Sequence, residues 1–170
     1  MSRAWTTTGA LAAALVLQIA FAPHMAIFGV SPSIPLLVVI TLALVEGPSA
    51  GAIAGFVAGL VLDLIGTGPV GAWALVLSVT GYLSGMLQEN LFAEGWLAPV
   101  TVAILAGLLA ETFYLLVLTV LGVAPAFWPS MLSVVLPRAV YNALLVLLVY
   151  PWLARFLRSD RSIKSFRRLA

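Results

Sequence analysis

The chain has 170 residues, 63% of them hydrophobic and 8% charged, with a formal charge of +2 and a mean hydropathy of +1.17. A soluble domain carries about 25% charged residues, so the composition excludes one and describes a membrane protein with little mass outside the bilayer. No cysteine is present, which excludes disulfides and thiolate chemistry, and the scarcity of Asn and Gln suits a heat-adapted source.

A membrane-spanning helix needs about 20 apolar residues. The first such run extends from Trp5 to Ala22. Arg3 and the Ala20-Phe21-Ala22 triplet imitate a signal peptide, but the run is long enough to cross a bilayer and is read as an uncleaved span. His24 to Pro35 forms a connector marked by Pro23, Pro32 and Pro35. The second run, Leu36 to Val45, is short. It is compatible with a tilted helix, one buried among neighbours, or a re-entrant segment. Glu46-Gly47-Pro48 forces a tight turn, and Pro48 suits the first position of a third helix ending near Ile65. Gly66-Thr67-Gly68-Pro69 is a second turn, followed by a fourth span from Val70 to Leu87 and a polar connector, Gln88 to Gly95, with Glu89 and Glu94. The fifth span is Trp96 to Leu121 and the sixth Ser130 to Leu153, with Gly122 to Pro129 between them. No internal repeat of fixed period is found.

The expected fold is therefore an all-α polytopic membrane protein, a compact bundle of about six transmembrane helices over residues 1–154, with a basic cytoplasmic tail at 155–170. All five tryptophans, at 5, 73, 96, 128 and 152, fall near predicted span edges, where indole favours the headgroup layer. Six of the eight basic residues lie in the tail, namely Arg155, Arg158, Arg161, Lys164, Arg167 and Arg168. The positive-inside rule puts that tail in the cytoplasm, and Arg3 on the same side requires an even number of spans. A re-entrant second segment would reduce the count to five. Trp152, Phe156, Ile163 and Phe166 share one side of the tail, which reads as a topology anchor on lipid or as a dock for a cytoplasmic protein.

The third helix is the most informative. Glycine recurs at Gly47, Gly51, Gly55 and Gly59, and the next step of four is Asp63. With ~3.6 residues per turn, these positions form one slowly winding ridge. Interior glycine costs about 1 kcal/mol against alanine in water. In lipid the helix is enforced by its own hydrogen bonds, and a bare ridge lets a second helix approach closely. This helix is read as the packing centre of the bundle, with Gly9, Ala10, Ala13 and Ala14 in the first span as a weaker second surface.

Ionisable groups inside a bilayer cost about 2.5–3.5 kcal/mol on insertion scales, so Asp63, Glu111 and Arg138 each require a reason. Glu111 lies about ten residues from the outer end of its helix and Arg138 about eight, or ~15 and ~12 Å at ~1.5 Å per residue. Their helices are consecutive and antiparallel, which predicts an ion pair. Asp63, near its helix end, opposes the helix dipole and calls for amide donors from Gly66 to Gly68 or for Arg138 reaching outward. Asn142 follows Arg138 by four and extends a polar patch with Tyr141. Three readings of the charged trio stand: an ion pair or cap fixing helix order, which is preferred, a proton or solute pathway, and contact with a partner's membrane helix. The lone His24 has no second His or Cys for a transition-metal site and no motif for nucleophilic catalysis. No phosphate-binding loop is present. An enzyme, a cofactor, a metal and a nucleic-acid partner are not expected.

The stretch Gly55 to Leu75, GFVAGLVLDLIGTGPVGAWAL, resembles the rod shape-determining protein MreD family, in which a G-x-x-x-G-x-x-x-D-L run leads through a small turn into P-x-G-x-x-A-L. Leu44-Val45-Glu46-Gly47-Pro48 and the Arg138, Tyr141-Asn142 and Tyr150-Pro151 stretch agree with it. Where that family commonly has a basic residue before the ridge, this chain has Glu46. The resemblance implies a non-enzymatic scaffold subunit of the bacterial cell-elongation and peptidoglycan-synthesis machinery in the cytoplasmic membrane. It would bind MreC and, directly or indirectly, RodA, a penicillin-binding transpeptidase and MreB. It also implies a fold similar to the substrate-binding subunits of energy-coupling-factor vitamin transporters. The alternative is such a vitamin-binding subunit, for which the outer loops offer His24, Phe28, Thr67, Phe127 and Trp128.

Overall fold

The structure is a computed structural model that describes residues 3–26, 29–87, 97–123 and 126–166. Among these residues the protein is all-helical, with six helices: α1 (Arg3–Ala20), α2 (Ile34–Glu46), α3 (Pro48–Ile65), α4 (Ala72–Met86), α5 (Leu97–Val120) and a composite α6. The last joins Phe127–Ser130, a π-helical turn at Met131–Val135 and Leu136–Phe166. It continues through 154 and 155 without a break, with Pro151 inside it. Three stretches, Pro48–Ile65, Val100–Val120 and Phe127–Leu148, are long and apolar enough to cross a membrane.

The helix at the centre is α2, not α3. Every residue from Pro35 to Val45 is buried. Its 13 residues reach only ~20 Å at ~1.5 Å per residue, but they are apolar all round, which is the pattern of a helix enclosed on every side. The short second run is thus a helix buried among neighbours. The expectation that the glycine helix is the packing centre is corrected accordingly. The glycines join one pair of helices, while α2 is the element against which α1, α3, α4, α5 and α6 all pack.

Among the described residues, the α3–α4 contact is the most extensive. A Cβ placed on Gly51 would lie 2.5 Å from the Gly81 carbonyl oxygen, and one on Gly55 would lie 2.5 Å from the Leu77 carbonyl carbon and 2.8 Å from the Ser78 nitrogen. At Gly59 it would overlap the backbone of Trp73 and Ala74. The seam is reciprocal, since a Cβ on Gly81 or Gly85 would meet the backbone at Gly51 or Pro48. The two antiparallel helices therefore touch main chain to main chain, the arrangement small residues permit where lipid offers no hydrophobic drive. The Ser78 hydroxyl reinforces it by donating to the Ala52 carbonyl at 3.1 Å. Gly47 plays a different part. Its φ of 98° and ψ of 179° lie in a region that L side chains rarely adopt, so α2 reverses into α3 through one residue.

The weaker small-residue surface on α1 is also corrected. Ala14 is buried beside Leu11, whereas Gly9 and Ala13 are exposed and no atom lies within 4 Å of a Cβ built on Gly9. The four positions do not form one packed face. They spread over about 140° at ~100° per residue, and only the side carrying Ala10, Leu11 and Ala14 meets the core.

The π-helical turn has a local cause. Pro137 lacks an N–H and its ring crowds the carbonyl four residues back, and the register slips just upstream, where the Leu136 N–H bonds to the Met131 carbonyl. The Ser133 hydroxyl also donates to the Pro129 carbonyl, at 2.7 Å.

Candidate functional site

Ser33, Glu111 and Asn142, three of the buried polar residues, gather with Gln18 around the start of α2. A helix begins with N–H groups that have no partner within it, and here those groups are deep in protein. Asn142 of α6 accepts from the Ser33 N–H at 2.9 Å. Gln18 of α1 accepts from the Ile34 N–H at 2.8 Å and donates through Nε2 to the Pro32 carbonyl at 3.1 Å. Pro35 has no N–H to satisfy. Two outer helices thus cap the central one, in the place of a local Ser or Asp cap.

Glu111 lies alongside and is 2% exposed. Arg138 Nη1 meets its Oε2 at 3.1 Å, and Asn142 Nδ2 approaches Oε1 at 3.5 Å, the limit of a hydrogen bond. The matched depths of Glu111 and Arg138 do bring them together. Asn142 links this pair to α2, using its oxygen for the helix and its nitrogen for the carboxylate. A buried carboxylate is tolerable only when paired and hydrogen-bonded, and both conditions are met from α6.

Asp63 differs from expectation. Its carboxylate accepts neither from Gly66 to Gly68 nor from Arg138. The Gly71 N–H reaches Oδ2 at 2.9 Å, the Trp73 N–H reaches Oδ1 at 3.0 Å and the Ala74 N–H reaches Oδ2 at 3.0 Å. Asp63 therefore caps α4 from the neighbouring helix. The reason is geometric. The ridge of α3 faces α4, the helices are antiparallel, and the next residue along the ridge meets the positive end of the α4 dipole. That end offsets the unfavourable dipole of α3. Asp63→Ala is expected to destabilise the protein by about 1–2 kcal/mol, as loss of a helix cap does, with Asp63→Asn costing less. Thermal unfolding in detergent, with the two variants side by side, checks the order.

Trp73 and Tyr114 stack with centroids 3.9 Å apart and planes at 16°. Around them lie two adjoining cavities that share Leu62, Trp73 and Arg138. One, of about 260 Å³, is also lined by Asp63, Gly66, Thr67, Gly68 and Tyr114. The other, of about 170 Å³, is also lined by Gln18, Ser31, Pro32 and Ser33. The Arg138 Nε is buried there without a hydrogen-bond partner among the described residues. Gln18 and Tyr114 join this site without an expectation from the sequence. The polar amide within an apolar run was the available signal for the first, and nothing in the local pattern pointed to the second.

The remaining sequence candidates lie elsewhere. His24 sits exposed in a 3₁₀ turn with its Nδ1 3.0 Å from the Ala20 carbonyl oxygen. Tyr141 donates its hydroxyl to the Met25 carbonyl at 2.9 Å. Glu46 accepts from the Thr7 hydroxyl at 3.1 Å. Arg155 is exposed, and Arg158, Arg161 and Lys164 fall on α6. Arg167, Arg168 and the acidic connector with Glu89 and Glu94, like Phe28, lie outside the described residues.

A bundle with bilayer-length apolar helices, charges tied up internally and an exterior carrying Ile53, Phe56, Leu105, Leu109 and Leu148 in exposed positions defines a small integral membrane protein. A family model, rod shape-determining protein MreD, matches residues 3–160. The chain belongs to the MreD family, whose role is the determination of rod shape. Comparison with curated proteins and with solved structures gave no match.

Proposed function

We propose that the protein is a non-enzymatic, multi-pass scaffold subunit of the bacterial elongation machinery in the cytoplasmic membrane, binding MreC and keeping its C-terminus in the cytoplasm. The observation that carries this reading is the family match over residues 3–160. The internal chemistry supports it. Asp63 is held by three amides, and Glu111 by Arg138 and Asn142, so these groups fix helix positions. The glycine ridge is occupied by α4, which leaves the outward faces of the bundle for a partner's membrane helix. RodA, a penicillin-binding transpeptidase and MreB filaments join directly or through MreC, with the basic tail facing the cytoplasmic members.

The test is affinity purification of the tagged chain from its native membrane, followed by identification of its companions. MreC in stoichiometric yield is the expected result. Co-purification of transport ATPases together with saturable vitamin binding would instead establish the transporter-subunit alternative.

A further inference from the structure

Beyond the scaffold reading, and independent of it, the two cavities around Arg138 have the chemistry of a binding site. Three features define what they would accept. The first is the guanidinium. Its Nη1 is committed to Glu111, while its Nε, buried and unpartnered, belongs to the side-on edge that receives paired oxygens of a phosphate or carboxylate. The Arg138 side chain is 23% exposed and lines both cavities, so a rotation of the guanidinium presents that edge to a ligand. Thr67 and Tyr114, whose hydroxyls are neutral donors, line the same cavity.

The second feature is Asp63. Its Oδ2 takes two amide N–H groups but its Oδ1 takes one, and a carboxylate oxygen has room for two. Arg138 and Asp63, not bonded to each other, thus line one cavity of about 260 Å³. The third feature is charge. Asp63 and Glu111 against Arg138 leave a formal excess of one negative charge among these three side chains. A ligand that brings only an anion worsens that balance, whereas one that brings an anion and a cation does not.

We propose that these cavities hold the phosphoethanolamine headgroup of a zwitterionic phospholipid, its phosphate on the open edge of Arg138 and its ammonium on Asp63. A water fills roughly 30 Å³ of liquid, so both cavities exceed what one or two waters occupy. Leu64, Ile65 and Val70, close to the lining residues in sequence, are all exposed, and they offer the apolar surface on which acyl chains lie. That favours the lipid over its soluble headgroup.

The experiment uses the full chain in nanodiscs of phosphatidylethanolamine and phosphatidylglycerol at equal mole fraction, read by native mass spectrometry after release in mild detergent. Retention of one phosphatidylethanolamine, favoured over phosphatidylglycerol by about tenfold, is the expected result. Arg138→Lys keeps a cation for Glu111 but removes the Nε edge, and Asp63→Asn keeps an acceptor for α4 but removes the charge. Each is expected to lower retention by about tenfold. Thr67→Trp fills the cavity from an exposed position without touching either charged group, and is expected to abolish retention in a protein that unfolds at the wild-type temperature. Equal retention of the two lipids, undiminished retention in Thr67→Trp, or displacement by soluble phosphoethanolamine at matched concentration would overturn the proposal. The first two results would leave the cavities holding water, and the third would assign them a soluble ligand.

Discussion

Gly55→Leu is expected to abolish the folded protein, or to lower its stability by more than the roughly 1–3 kcal/mol that core overpacking usually costs. The reason lies in what the new side chain would meet. A Cβ at this position already overlaps the α4 main chain around Leu77 and Ser78, and main chain cannot turn aside as the end of a side chain can. Gly59→Leu meets the same obstacle at Trp73 and Ala74. Separating α3 from α4 would also pull Asp63 away from the three N–H groups it caps. Gly107→Ala is the matched control, because nothing lies within 4 Å of its Cβ, and it should be neutral or slightly stabilising. Fluorescence-detected size exclusion and thermal unfolding in detergent give the readout. A monodisperse Gly55→Leu protein with an unchanged transition would contradict the seam.

The second large effect belongs to Glu111 and Arg138. Removing one member of a buried ion pair leaves the other uncompensated and costs about 3–5 kcal/mol. Arg138→Met should approach that range, because Glu111 is 2% exposed and its remaining contact, to Asn142, is long. Glu111→Gln should cost less, since the partly exposed guanidinium can reach polar surroundings. The double variant, Glu111→Gln with Arg138→Met, should recover much of the loss, since an apolar replacement of both charges is often close to neutral. A double-mutant cycle on thermal unfolding measures the coupling. Additive losses would show that the two charges act separately. Recovery in the double variant would also argue against a proton pathway as the reason for both residues, provided the complex with MreC persists.

Much of the fold was legible because the punctuation is strong. Pro48 and the glycines at 47, 66 and 68 mark turns that the structure places within a residue or two. The pairing of Glu111 with Arg138 is legible because it needs only helix rise and the order of two consecutive helices. The position of α2 was harder. Its apolar residues have no face, and a run without a face is equally a lipid-exposed span, a re-entrant segment or a core helix. Only the surrounding helices decide among these. The partner of the glycine ridge was readable in principle, for Gly81 and Gly85 repeat the same spacing of four, yet two glycines in a membrane helix are a weaker signal than four. Asp63 was misread because its donors lie eight to eleven positions away, beyond the adjacent turn. They come into reach only once α4 folds back along the ridge. Gln18 and Asn142 illustrate the same limit from the other side. Each caps a helix to which it is not adjacent in sequence, so local capping patterns have nothing to detect.

Backbone contact between α3 and α4 is the feature on which the seam, the Asp63 cap and the cavity walls all depend. The natural absence of cysteine allows it to be measured in the intact membrane. Ala52→Cys and Ser78→Cys sit on the two sides of the seam, where the Ser78 hydroxyl is 3.1 Å from the Ala52 carbonyl oxygen. Treatment of membranes carrying the double variant with a short bifunctional thiol reagent should give an intramolecular crosslink, detected as a mobility shift absent from either single variant. No crosslink from a protein that is inserted and stable would mean that the two helices do not meet.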